Sequence, residues 1–75
     1  MMSAETTTMK ADFPGKILDI MVKEGEAVKA GQPVILLEAM KMENELASPA
    51  SGVVSQIHVE KNAPVESGQP LLTIQ

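Results

Sequence analysis

Few residue types in this chain of 75 residues can do chemistry: six lysines, ten acids and one histidine, with no cysteine and no arginine. One lysine stands apart from the rest. Lys41 lies between two methionines in the stretch Glu38-Ala39-Met40-Lys41-Met42-Glu43-Asn44. Its primary amine, once it has lost a proton, is a nucleophile that can be acylated, and its four-carbon stem would then become part of a flexible tether. Acylation also removes the charge. Met40 and Met42 read either as ordinary turn or core filler or as flexible, polarisable surface suited to docking against more than one partner. Glu38 and Glu43 read as recognition or solubility charges beside that lysine. His58 is the only histidine, and no nucleophile or carboxylate arrangement accompanies it, so it reads as a surface residue. The acids are spread along the chain without the spacing of a calcium loop, and the lack of cysteine removes thiolate, zinc-thiolate and disulfide chemistry.

What must position Lys41 is small. Seventy-five residues hold one compact core. A net charge of −4, without arginine, tryptophan or tyrosine, argues against a nucleic-acid partner, since phosphate neutralisation and base stacking both lack their usual groups. No run approaches the roughly 20 apolar residues of a membrane span, and the N-terminus lacks the pattern of a signal peptide. The expectation is a soluble, cytoplasmic chain with no direct membrane insertion. One phenylalanine leaves the core to Ile, Leu, Val, Met and Ala, a composition that suits a small β domain. Residues 1–8, with three consecutive threonines and no apolar periodicity, read as a flexible tail, and residues 9–75 as the domain.

From Met9 onward the chain repeats itself when residue i is laid on i + 37, with no gap. Gly15 falls on Gly52, Ile20 on Ile57, Val22 on Val59, Val28 on Val65, and Gly31-Gln32-Pro33 on Gly68-Gln69-Pro70. Each copy is too short to bury its own apolar face, so the two must share one core. Positions apolar in both copies then point inward: Ile20/Ile57, Val22/Val59, Ile35/Leu72 and Leu37/Ile74. Asp19/Gln56 and Lys23/Glu60 face water, which is the period of two of half-buried strands. Glu24-Gly25 opposite Lys61-Asn62, and the two Gly-Gln-Pro turns, break the strands at matching places. About eight short strands result.

Leu36 to Ala47 consists of strong helix formers and would be helical on propensity alone. Its repeat partners forbid that. Val34 to Glu38 matches a strand, Leu46 matches Met9, and only Ala39 to Glu45 remains between the copies, which is the length of a hairpin. A two-residue hairpin wants Asn-Gly or a similar pair, and Met40-Lys41 is a poor choice for it. A turn whose residues defy its geometry is a candidate functional site. If a two-fold axis relates the copies, Glu38 and Leu46 lie together at the hairpin, and Gln75 and Met9 together at the opposite end.

The stretch around Lys41, together with Gly15, Gly25, Val28, Gly31, Pro49 and Gly52, resembles the attachment motif of biotinyl domains, also called biotin carboxyl carrier domains, from about Met9 to Gln75. The resemblance implies an all-β fold: a flattened β-barrel of two four-stranded antiparallel sheets with pseudo-two-fold symmetry. It implies that a biotin protein ligase joins biotin to Lys41, with Glu38, Ala39, Met40 and Met42 as recognition residues around it. It further implies that the biotin carries activated carboxylate between a biotin carboxylase and a carboxyltransferase or decarboxylase subunit, while the domain itself catalyses nothing. Between Asp19 and Val28 there is room only for a tight turn, so the protruding thumb of many bacterial carrier subunits is missing. The chain is thereby similar to the thumbless domains of transcarboxylase, pyruvate and propionyl-CoA carboxylases and sodium-pumping decarboxylases. Asp12-Phe13 and Asn62 depart from the usual Pro-Met and Gly.

Three other readings compete. A lipoyl domain resembles the same fold but typically shows Asp-Lys-Ala, which Met40 and Met42 contradict. An unmodified interaction module, like the lipoyl-like hairpin domains of transport adaptors, needs no lysine at the tip. An independent enzyme would need a pocket and a paired acid and base that one thin core does not supply.

Overall fold

The computed structural model describes residues 6–75 and is all-β. Its strands are β1 (Thr7–Lys10), β2 (Gly15–Ile20), β3 (Ala27–Val28), β4 (Pro33–Ala39), β5 (Met42–Ala47), β6 (Gly52–Ile57), β7 (Pro64–Val65) and β8 (Pro70–Ile74). They form two four-stranded antiparallel sheets, ordered β1-β8-β6-β3 and β5-β4-β2-β7. Among the described residues no helix is long and apolar enough to cross a membrane.

The repeat is carried into the hydrogen bonding. Asn44 pairs with Leu37 as Thr7 pairs with Ile74, and Glu45 with Leu36 as Thr8 with Thr73. Outside the ladders, Gly25 N–H donates to Val54 O as Asn62 N–H does to Ile17 O, and Gly31 N–H donates to Ser48 O as Gly68 N–H does to Ala11 O. Each bond has its counterpart 37 residues along. The fully buried side chains are likewise mates: Ile17 and Val54, Val34 and Leu71, Ile35 and Leu72, Leu37 and Ile74. Each copy thus contributes four of the eight pieces that fill the space between the sheets.

The helix formers of Leu36 to Ala47 lie in strands, as the repeat requires. β4 is paired on both sides, by β2 and β5, and these ladders outweigh a local helix preference of a few tenths of a kcal/mol per residue. The positive φ expected at the turn glycines is present at Gly25, Gly31 and Gly68. Asn62 takes the same conformation where its mate is Gly25, with φ 73 against 91.

Three expectations need correction. The tail was placed at residues 1–8, but β1 begins at Thr7, because Thr7 and Thr8 are the mates of Asn44 and Glu45 and pair with β8 as those pair with β4; residues 1–5 lie outside the described residues. Ile20 and Ile57 are half-buried and pack against the edge of the core instead of lying inside it. A register shift between Ile17 and Asp19, matched between Val54 and Gln56, inserts an extra residue into each strand and breaks the alternation there. Val22 and Val59 are buried as expected. Finally, Gln75 exchanges backbone hydrogen bonds with Val53, at 2.8 and 2.9 Å, and its Nε2 donates to Thr6 Oγ1 at 3.4 Å, so its neighbours do not include Met9. Met9 pairs with Leu72, and Leu46 with Ile35, four residues down the ladder from the closing pair Ala39–Met42.

Candidate functional site

β4 and β5 are joined by two residues, Met40 and Lys41, after the closing pair Ala39–Met42. Both have positive φ, 54 and 62. That is the signature of the mirror-image hairpin turn whose twist matches that of the flanking strands, and it normally selects Asn and Gly. For residues with a Cβ the left-handed region costs about 1–2 kcal/mol each, so the turn stores roughly 2–4 kcal/mol. The cost is tolerated because the surroundings determine the turn: six cross-strand pairs form a ladder running from Ala39–Met42 down to Pro33–Ala47.

Side chains beneath the turn hold it in place. Asn44 Nδ2 donates to Leu37 O at 3.4 Å and to Met42 O at 3.2 Å, tying the first turn of β5 to β4 and to itself. Gly15 brings β2 under the base of the hairpin, since a Cβ there would collide with Glu38 O. Its mate Gly52 stands in the same relation to Gln75 O, 2.5 Å from the position of the missing Cβ.

Lys41 is exposed at the tip. Met40 is 81% and Met42 64% exposed, so neither is core filler. Glu38 is exposed and lies directly opposite Glu43, with Lys16 on its other side. Two like charges facing each other across a ladder oppose its stability. Ala39 is 4% exposed, so its methyl group belongs to the core. Its role is to fit. The small side chain closes the end of the sandwich directly beneath the turn, and its cross-strand partner Met42 overhangs that end. Asn44 had no assigned role from sequence; an Asn two residues past the turn that can bond back to the backbone is the signal that was available.

His58 is exposed and its Nε2 lies 2.8 Å from Thr73 Oγ1. A hydroxyl beside an imidazole is half of a nucleophilic pair, but the pair sits on an open sheet face, and the N–H groups of β8 there are used in the ladders to β1 and β6. No convergent pair of donors for an oxyanion is formed.

The comparisons with known proteins agree with one another. A family described as "biotin-requiring enzyme" matches residues 4–74. The biotin carboxyl carrier protein of Streptococcus mutans is 44% identical over 72 residues, covering 96% of this chain and 55% of the relative. The methylmalonyl-CoA decarboxylase subunit gamma of Veillonella parvula is 55% identical over 49 residues, 65% of this chain and 38% of the relative. This chain therefore spans about half, or less, of the length of these relatives. The crystal structure of urea carboxylase from Kluyveromyces lactis superposes with a TM-score of 0.88 at 27% identity, over 100% of this chain and 7% of that one.

Proposed function

This chain belongs to the biotin/lipoyl family of biotin-requiring enzymes, and from that premise we propose that it is a non-catalytic biotin carboxyl carrier domain with Lys41 as the attachment residue. The observation that carries the reading is the strained two-residue turn, which holds one exposed lysine at its tip between two exposed methionines. The group fits what is there: an amide to biotin needs a primary amine that an acylating enzyme can reach, and nothing covers Lys41. When attached, biotin carries activated carboxylate between a biotin carboxylase site and a carboxyltransferase or decarboxylase site. This chain's own residues present it. The ladder beneath Ala39–Met42 fixes the direction in which the lysine leaves the domain, so only the side chain and its extension are free to swing. Tethering makes each encounter local, which raises effective concentration without any catalytic group on the domain.

An ammonium is not a nucleophile, so the acylating partner, a biotin protein ligase working through an activated biotinyl adenylate, must remove the proton. The test is intact mass after incubation with a biotin protein ligase, ATP and biotin, beside a lipoate ligase reaction. One biotin should be gained and should map to Lys41, and Lys41→Arg should fold, since charge and turn survive, and gain none. A folded Lys41→Arg protein that still takes up biotin would overturn the assignment.

A further inference from the structure

The four methionines among the described residues differ widely in exposure. Met9 is 7% exposed and Met21 38%, whereas Met40 is 81% and Met42 64%. The two open thioethers flank the one residue on which the proposed function depends. Packing does not call for sulfur at either place, because Met40 stands at the first central position of the turn and both side chains are mostly exposed. Their exposed surface is available to a docking partner, and also to small oxidants.

We infer that Met40 and Met42 form an oxidation-sensitive gate on the hairpin: a peroxide converts their thioethers to sulfoxides, and the sulfoxides weaken docking of the biotin-bearing hairpin in a carboxylation site. The inference rests on the biotin reading above. In the step itself, one peroxide oxygen is transferred to sulfur, the O–O bond breaks and an S–O bond forms; sulfur is oxidised by two electrons and hydrogen peroxide is reduced to water. Return requires two thiol equivalents, as used by methionine sulfoxide reductases, and yields the thioether, a disulfide and water. A sulfoxide is polar and chiral where the thioether was apolar and flexible, so a surface able to adapt to an apolar pocket becomes one that must keep a strong acceptor hydrated. The fold is untouched. The turn is held by backbone pairing and by the Asn44 amide, not by either sulfur, and the core methionine, Met9, is shielded.

The experiment starts from the biotinylated protein, with the biotin on Lys41 verified by peptide mass before any oxidant is added, so that failure of the biotin reading appears first and separately. Hydrogen peroxide is then titrated in, and peptide masses follow each methionine. Met40 and Met42 should oxidise well ahead of Met9; equal rates would overturn the inference. The oxidised protein, with unchanged circular dichroism, is next offered to a free biotin carboxylase with ATP and bicarbonate. Its kcat/KM should fall by roughly tenfold or more, the scale on which loss of one buried apolar side-chain contact acts, and should recover with reductases for both sulfoxide epimers. Biotin has a thioether of its own, so the Met40→Leu/Met42→Leu protein, biotinylated in the same way, is the control: its rate should be the same before and after peroxide. Full activity of the oxidised protein, or an equal loss in the leucine variant, would sink the gate.

Discussion

Replacing Met40-Lys41 by Asn-Gly tests whether the turn is strained. The left-handed conformation costs a residue with a Cβ about 1–2 kcal/mol, and two such residues are present, at φ 54 and 62. Asn tolerates the region and Gly carries no penalty there, but the new Gly adds unfolded-chain entropy worth about 0.5–1 kcal/mol. The net expectation is a gain of about 1–3 kcal/mol. For a domain of this size each kcal/mol moves Tm by about 4–8 °C, so a rise of at least several degrees should be visible. The assay is urea unfolding followed by circular dichroism, because the chain has no tryptophan or tyrosine to report by fluorescence. The slope against urea should be unchanged and the midpoint raised. Asn62→Gly serves as a control for positive φ elsewhere; since Asn already accommodates φ 73 at that loop, little strain is relieved, the added unfolded-chain entropy remains, and the variant should gain no stability and lose up to about 1 kcal/mol. An Asn-Gly variant that folds but is no more stable than the parent would refute the argument. Met-Lys would then sit in the turn at no cost, and its presence would need no functional explanation.

Two further outcomes follow from the packing. Leu37→Ala should cost about 2–5 kcal/mol because Leu37 is fully buried, while Ile20→Ala should cost clearly less because the register shift leaves Ile20 half-buried; equal urea midpoints for the two variants would show that the bulge does not lift Ile20 out of the core. Gly15→Ala should destabilise by roughly 1–3 kcal/mol, since its Cβ meets the backbone carbonyl of Glu38 and no flexible side chain can yield; a fully stable Gly15→Ala protein would mean that β2 and the hairpin approach less closely than described.

Much of the fold was legible because the chain carries its own alignment. A single sequence gives local preferences, and over Leu36 to Ala47 these point to helix; a second copy of the same fold, read at an offset of 37, supplies tertiary information that propensity lacks. The same device located the turn, and the poor fit of Met40-Lys41 to a hairpin marked the site before any geometry was known. The bulges were not legible. An extra residue in a strand changes no residue type, and Ile20 looks like a core position in both copies until the ladder shows the register shift after Ile17. The burial of Ala39 is hidden for a related reason: proximity along the chain to Lys41 does not show which way a side chain points, and alternation along β4 turns this methyl group inward.

The duplicated fold also separates what the architecture demands from what the hairpin adds. Glu38, Glu43 and Glu45 on the outer face of the Lys41 sheet have Gln75, Thr6 and Thr8 as their repeat mates; Thr8 holds the equivalent ladder position opposite Thr73, and Gln75 and Thr6 meet just beyond the end of that ladder. Neutral polar residues therefore satisfy the fold at each of these places. Acidity is extra. Glu38 and Glu43 face each other directly, and like charges so placed cost a few tenths of a kcal/mol or more, a cost that Lys16 on the other side of Glu38 offsets in part. The hairpin sheet thus carries two kinds of cost that its mate avoids, left-handed strain in the turn and carboxylate repulsion at its base. Both fall within three residues of Lys41, whereas at the corresponding end of the other sheet two neutral side chains, Gln75 and Thr6, meet.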